Sequence, residues 1–162
     1  MPDVYRTMLA KDAIAAKLAY CVLNNLNGER ILLMQAKNLE AKFDKNKVEV
    51  PILGRTFVGH RATNWNGTGS MTIYSNISRF TELMRQYQET GQDFYFDIII
   101  RNYDPTSSAG GQTIILKDCN LDGVTIAAFD ADGDWLEQDI DFTFERFEIP
   151  EKFVDLDGML TA

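Results

Sequence analysis

The sequence predicts a mainly β protein with one flanking α-helix. Three observations carry that prediction. Apolar and polar residues alternate with period two over most of the chain, as in strands with one buried face. An Asn27-Gly28 dipeptide, suited to the positive φ angles of a tight hairpin, sits between two such runs. Only the stretch Ser78 to Thr90 shows convincing helical spacing.

Taken in order, the first pair of strands is Leu18 to Asn24 and Glu29 to Lys37. Ala13, Ala15, Ala16 and Lys17 favour helix just upstream, and the turn signal is the stronger of the two. Leu39, Ala41 and Phe43 alternate with charges, Asp44 to Lys47 is a charged break, and Val48, Val50 and Ile52 resume before Pro51 takes the chain out of the sheet. Four of the eleven glycines fall in Gly54 to Gly69, which reads as a long loop into a strand at Ser70 to Tyr74. In the helix, Phe80, Leu83, Met84 and Tyr87 make one stripe and Gly91 supplies the stop. Phe94 to Arg101 is an apolar strand, Asn102 to Gly111 a loop by its turn chemistry, and Thr113 to Leu116 returns to the sheet. Val124 to Phe129, a turn at Asp130 to Asp134, and Ile140, Phe142 and Phe144 complete an antiparallel hairpin. The tail from Ile149 carries Pro150 and little periodicity.

The 162 residues suit a single domain, and no internal repeat or linker argues for a second. Ten Phe and two Trp exclude a disordered polyanion despite the formal charge of −8. That charge is uneven: Met1 to Lys117 holds 14 basic and 11 acidic residues, whereas Asp118 to Asp157 holds 13 acidic and two basic. No apolar run approaches the ~20 residues of a membrane helix. The alanines around Ala13 to Ala19 imitate a secretory leader only loosely, so cytoplasmic residence is expected. Cys21 and Cys119 lack metal-ligand spacing and read as two buried thiols.

Apparent chemical motifs fail on detail. Gly54-x4-Gly59-His60-Arg61 lacks the Lys and Ser or Thr of a phosphate loop. Asn66-Gly67-Thr68-Gly69 places Thr72 where a dinucleotide fingerprint needs its third glycine. Asp130, Asp132 and Asp134 have calcium-loop spacing, but Trp135 stands at the glycine position and Asp141 where glutamate closes the loop. His60, the single histidine, has no triad partners nearby. Asp139 and Asp141 point to one strand face and read as a solvated pair rather than an acid–base couple. Lys37, Lys42, Lys45 and Lys47 are interleaved with acids and lack an aromatic row for nucleic acid. No catalytic residue, metal site or cofactor is expected, and the chain is read as a non-enzyme.

Resemblance adds a function. Asp44-Lys45-Asn46-Lys47-Val48-Glu49-Val50, Leu53-Gly54-Arg55, Gly59-His60 and Asn66-Gly67-Thr68-Gly69 come in the order seen in tail-tube proteins of contractile phage tails. So do Asp104-Pro105-Thr106-Ser107-Ser108, Leu121-Asp122, Asp141-Phe142-Thr143-Phe144-Glu145 and Pro150-Glu151-Lys152. The chain resembles most the family of the PBSX prophage and of R-type phage-tail-like bacteriocins. The resemblance covers residues 18–153, leaving 1–17 as an arm or divergent first element and 154–162 as a tail. It implies an antiparallel β-barrel or β-sandwich that closes into hexameric rings and stacks into a hollow conduit inside the sheath. Implied partners are other copies of the chain, tail sheath, baseplate and tail-terminator proteins, tape-measure protein, and DNA only in passage, with no membrane anchor. Assembly would occur in the bacterial host cytoplasm, before incorporation into a virion tail or released bacteriocin particle. On this reading Lys45, Lys47, Val50, Arg55, His60, Trp65, Asp104 and Ser107 are candidate intersubunit loop residues. Asp139 and Asp141 are candidate lumen residues. A type VI secretion-like tube protein and a monomeric small-ligand barrel are the alternatives.

Overall fold

A computed structural model of the chain describes residues 7–26, 28–156 and 159. Asn27 of the predicted turn, residues 1–6 of the predicted arm, and 157, 158 and 160–162 of the predicted tail lie outside the described residues. The protein is mainly β with one helix, as the sequence predicts, and its antiparallel sheet is not closed within the chain. The described residues fall into two compact units. One is drawn from Met1–Met34, Asp97–Leu116 and Phe147–Ala162, the other from Gln35–Phe96 and Lys117–Arg146.

In the first unit, β1 (Ala19–Leu26) lies between β2 (Glu29–Leu32) and β5 (Phe96–Tyr103), antiparallel to both. Gly28, at φ 79°, sits in the β1–β2 turn where the dipeptide signal places it. The upstream residues Ala13, Ala15, Ala16 and Lys17 form no helix, because no apolar stripe gives them a surface to pack on; a single 3-10 turn, Ala10–Asp12, precedes them. Cys21, Val22, Leu23, Leu33, Ile98 and Leu116 are buried here. Burial pushes the Cys21 thiol up to about 12. The strand β6 (Gly111–Val124) neighbours β5, and β8 (Arg146–Glu151) pairs with β6. β8 is a strand the sequence reading misses; having one partner, it tolerates Pro150.

The second unit holds β3 (Ala36–Val50), β4 (Gly59–Tyr74), α1 (Arg79–Thr90), β7 (Glu137–Phe144) and the second half of β6, in the order β6-β7-β4-β3. Along β7, Gln138, Ile140, Phe142 and Phe144 are buried. Asp139 and Asp141 alternate with them on the exposed face. The helix buries Phe80 and Leu83 and stops at Gly91, whose φ of 69° lets its N–H donate to the Tyr87 carbonyl at 2.8 Å. Tyr87 itself stays half exposed.

Three sequence expectations are corrected. The charged break at Asp44 to Lys47 is strand, and so is most of the loop expected over Gly54 to Gly69, from Gly59 onward; only residues 51–58 turn between β3 and β4. β3 and β4 pair continuously from Ala36↔Ile73 to Val50↔Gly59, with bulges after Ala36 and Asn46. The glycines there serve a packing need. Gly67 lies opposite Phe144 and Gly69 opposite Phe142, and a Cβ at Gly69 would fall within 3.0 Å of three Phe142 ring carbons. Conversely, Val124 to Phe129 is not a strand, since β6 ends at Val124 and residues 125–136 connect it to β7. β propensity alone does not make a strand where no neighbour supplies a ladder.

The seating of Phe142 predicts a cost. Gly69→Val destabilises by about 2–3 kcal/mol, lowering the melting temperature by about 4–12 °C. Combined with Phe142→Leu, its loss is smaller than the sum of the two single losses. Thermal unfolding of the four proteins checks this, and additive losses would contradict the packing.

Candidate assembly surfaces

The pairing of β4 with β7 stops at Gly67↔Phe144, whereas the pairing of β4 with β3 runs on to Gly59. Residues 44–66 therefore form a two-stranded ribbon past the end of β7, about 23 Å long at strand rise plus its turn. The side chains that continue the buried face of β4 become exposed there. Phe43 and Trp65 are 41% and 58% exposed, with ring centroids 5.9 Å apart, and the Trp65 indole N–H donates to the Glu145 carbonyl at 2.8 Å. That bond ties the root of the ribbon to the chain just past β7. Beyond it, Leu53, Phe57 and Val58 are exposed around a tip where Gly54 takes φ 83° and the Arg55 guanidinium lies 5.4 Å over the Phe57 ring.

Six predicted contact residues come together on this ribbon, though five of them are on strands rather than in a loop. Lys45 faces Trp65 across the ladder, Lys47 pairs with Ala62, Val50 with Gly59, and His60 with Glu49, while Arg55 is in the tip. All but Val50 are exposed. The sequence hides the strand at Asp44 to Lys47 and at Gly59 to Gly69 because both faces there are polar or glycine-rich, so no inside and outside can be read. The exposed apolar residues Leu53 and Phe57 at the tip were missed; their signal is large apolar side chains flanking a turn glycine.

Asp104 and Ser107 do something different. Both are buried in the first unit, where they hold the N-terminal segment. Asp104 Oδ2 accepts the Ala15 N–H at 3.1 Å and its Oδ1 accepts the Thr106 N–H at 2.9 Å. The Ser107 hydroxyl donates to the Asp12 carbonyl at 2.9 Å. The Asp12 carboxylate accepts from the Ser108 N–H and hydroxyl at 3.1 and 2.7 Å. These two predicted contact residues are thus engaged inside the chain, in a clamp that sequence could not foresee because its halves lie about 90 positions apart. The hydrogen bonds hold the Asp12 and Asp104 carboxyls below their usual range, the Ser108 hydroxyl leading for Asp12 and the Thr106 amide for Asp104.

Asp139 and Asp141 share the exposed face of β7. Asp139 accepts the Thr72 hydroxyl at 2.9 Å, and Asp141 stands opposite Ser70. One step along, Glu137 pairs with Lys37 at 2.5 Å. Small hydroxyls and carboxylates make this face hydrophilic and net acidic. Among the described residues no cluster of His, Cys, Asp or Glu has a geometry for a metal ion.

Residues 6–151 match the family model described as Phage tail tube protein. The chain belongs to that family. The Bacillus subtilis phage-like element PBSX protein XkdM is similar, 42% identical over 130 residues, which span 80% of this chain and 87% of the relative. Among solved structures, a chain of the PVC extracellular contractile injection system, in its sheath/tube terminator, matches at a TM-score of 0.67 and 13% identity. It covers 86% of this chain and 97% of that one. A chain of the PVC sheath–tube complex in the extended state matches at 0.64 and 14%, covering 88% and 93%. The tail-tube family gives the protein a structural role, and the ribbon and the acidic face are surfaces of a tube subunit.

In this tube subunit the clamp has a signed pH dependence. A carboxyl whose pKa is lowered on folding stabilises above its unfolded value, near 3.9, and the stabilisation is lost as pH falls through the folded value. Amide exchange at Ala15 and Ser108 therefore keeps its protection down to about pH 4 and loses it only as pH falls further, through the lowered folded values. Asp104→Ala removes protection at Ala15 at every pH. Exchange measured by mass spectrometry or NMR checks both; protection at Ala15 in the variant would contradict the clamp.

Proposed function

We propose that the protein is the tube subunit of a contractile tail, of a phage or a phage-tail-like bacteriocin, closing as hexameric rings that stack inside a sheath. The observation that carries this reading is the ribbon. A two-stranded hairpin is marginal alone in water, and this one leaves Phe43, Trp65, Leu53 and Phe57 in large part exposed. A neighbouring copy supplies the cover, so Lys45, Lys47, Val50, Arg55, His60 and Trp65 act as contact residues. β2 and β3, at the two ends of the strand path, each leave one backbone edge for pairing between copies.

The acidic face with Asp139 and Asp141 lines the conduit. Carboxylates repel phosphate, the inverse of the lysine and arginine contacts that make nucleic acid bind, so a DNA strand or tape-measure protein slides without sticking. Sheath and terminator are partners on the strength of the PVC structures that contain them, and a baseplate protein meets the end of the tube. The subunit is made in the bacterial cytoplasm and leaves as part of a particle. No turnover is required of such a part.

One groove among the described residues bears on the small-ligand alternative. The groove lined by Lys17, Leu18, Ala19, Tyr20, Arg101 and Tyr103 measures about 260 Å³ and opens to solvent, below the usual range for drug-sized ligands. Negative-stain microscopy of concentrated protein, alone and with its sheath, tests the proposal. Rings or tubes with a central channel are expected, and a monodisperse monomer in both samples would overturn it.

A further inference from the structure

Granting the tube reading, we propose that the ribbon tip of one copy docks on the 125–136 connection of a second copy, a head-to-tail contact between a basic apolar tip and an acidic aromatic loop. The loop exposes Ile126, Phe129, Trp135 and Leu136, with Phe129 95% exposed. Trp135 stands edge-on to Tyr74 at 6.3 Å, which fixes it at the root of β4. Asp130 shapes the turn, its carboxylate accepting the Asp132 N–H at 3.0 Å and its carbonyl the Gly133 N–H at 3.3 Å. Residues 125–137 contain four acids and no base.

The ribbon is the complement. Residues 42–61 contain five basic and two acidic side chains. Among the described residues Lys45, Lys47, Arg55 and Arg61 have no carboxylate partner. Both surfaces thus combine large exposed apolar side chains with a charge of opposite sign, which gives an encounter its orientation as well as its burial.

A chain cannot make this contact with itself. The loop enters β7 at Glu137, which pairs with Tyr74, and the tip begins at Gly59, the other end of β4. Fifteen residue steps at strand rise separate them by about 50 Å. The occupant is therefore a second copy. Because the two patches differ, the contact is heterologous, and each copy offers one tip and one loop. Such a contact repeats without a dyad and suits copies that all point the same way along a stack.

Two charge-reversed proteins test it. One carries Asp132→Lys and Asp134→Lys; the other carries Lys45→Glu, Lys47→Glu and Arg55→Glu. Each alone is expected to yield at least tenfold less pelletable tube than the unmodified protein, with an unchanged melting temperature of the unassembled chain. An equimolar mixture of the two, and a single chain carrying both sets, are expected to recover tubes, since acidic tips then meet basic loops. Tubes from either single variant at the unmodified yield would overturn the contact while leaving the tube reading intact. So would failure of both the mixture and the double variant to recover. Normal tubes that no longer take up sheath would reassign the loop to the sheath and overturn the contact. An unmodified protein that never forms tubes would remove the parent reading and this contact with it.

Discussion

The register between β4 and β7 is the constraint on which the rest of the second unit depends. Phe142 and Phe144 sit opposite Gly69 and Gly67, and the two rings occupy the space that side chains at those glycines would fill. A slip of one residue would turn both rings to the solvent face and bring Asp139 and Asp141 inward. Burial of a phenylalanine against exposure differs by ~2 kcal/mol or more, and an unpaired buried carboxylate costs more still, so one register dominates. That choice sets which face is acidic and how far β4 overshoots β7.

The overshoot leaves apolar surface uncovered in the single chain. Side chains along the inner face of β4 are buried where β7 runs beside them and exposed where it does not, as Met71 at 1% and Trp65 at 58% show. A subunit built this way is complete as a fold and incomplete as a surface. The N-terminal clamp works in the opposite sense, closing polar groups inside the chain so that the Asp104 loop is settled before any neighbour arrives.

Legibility in the sequence followed burial. The helix was readable because Phe80 and Leu83 fall on one stripe and Gly91 ends it, and β7 because Ile140, Phe142 and Phe144 alternate with acids. The ribbon was not, since Lys45, Asn46 and Lys47 face water on both sides and leave no periodic signal. Gly67 and Gly69 looked like loop residues because their reason for being small, a phenylalanine ring, lies about 75 positions away. Asp104 and Ser107 read as surface turn residues because their partners, Ala15 for Asp104 and Asp12 for Ser107, are equally remote. The ordered strings from Asp44 to Gly69 still pointed to the right family, since resemblance does not require knowing which of those residues are strand.

The long hairpin also has a mechanical meaning. Force applied to the ribbon tip along its axis reaches the rest of the second unit through the β4–β7 ladder, eight aligned residue pairs from Gly67 to Tyr74. Loaded in that direction, the ladder is sheared, so its hydrogen bonds share the load instead of parting one after another as in a peeled strand. The phenylalanine rings over the glycines act as pegs against sliding.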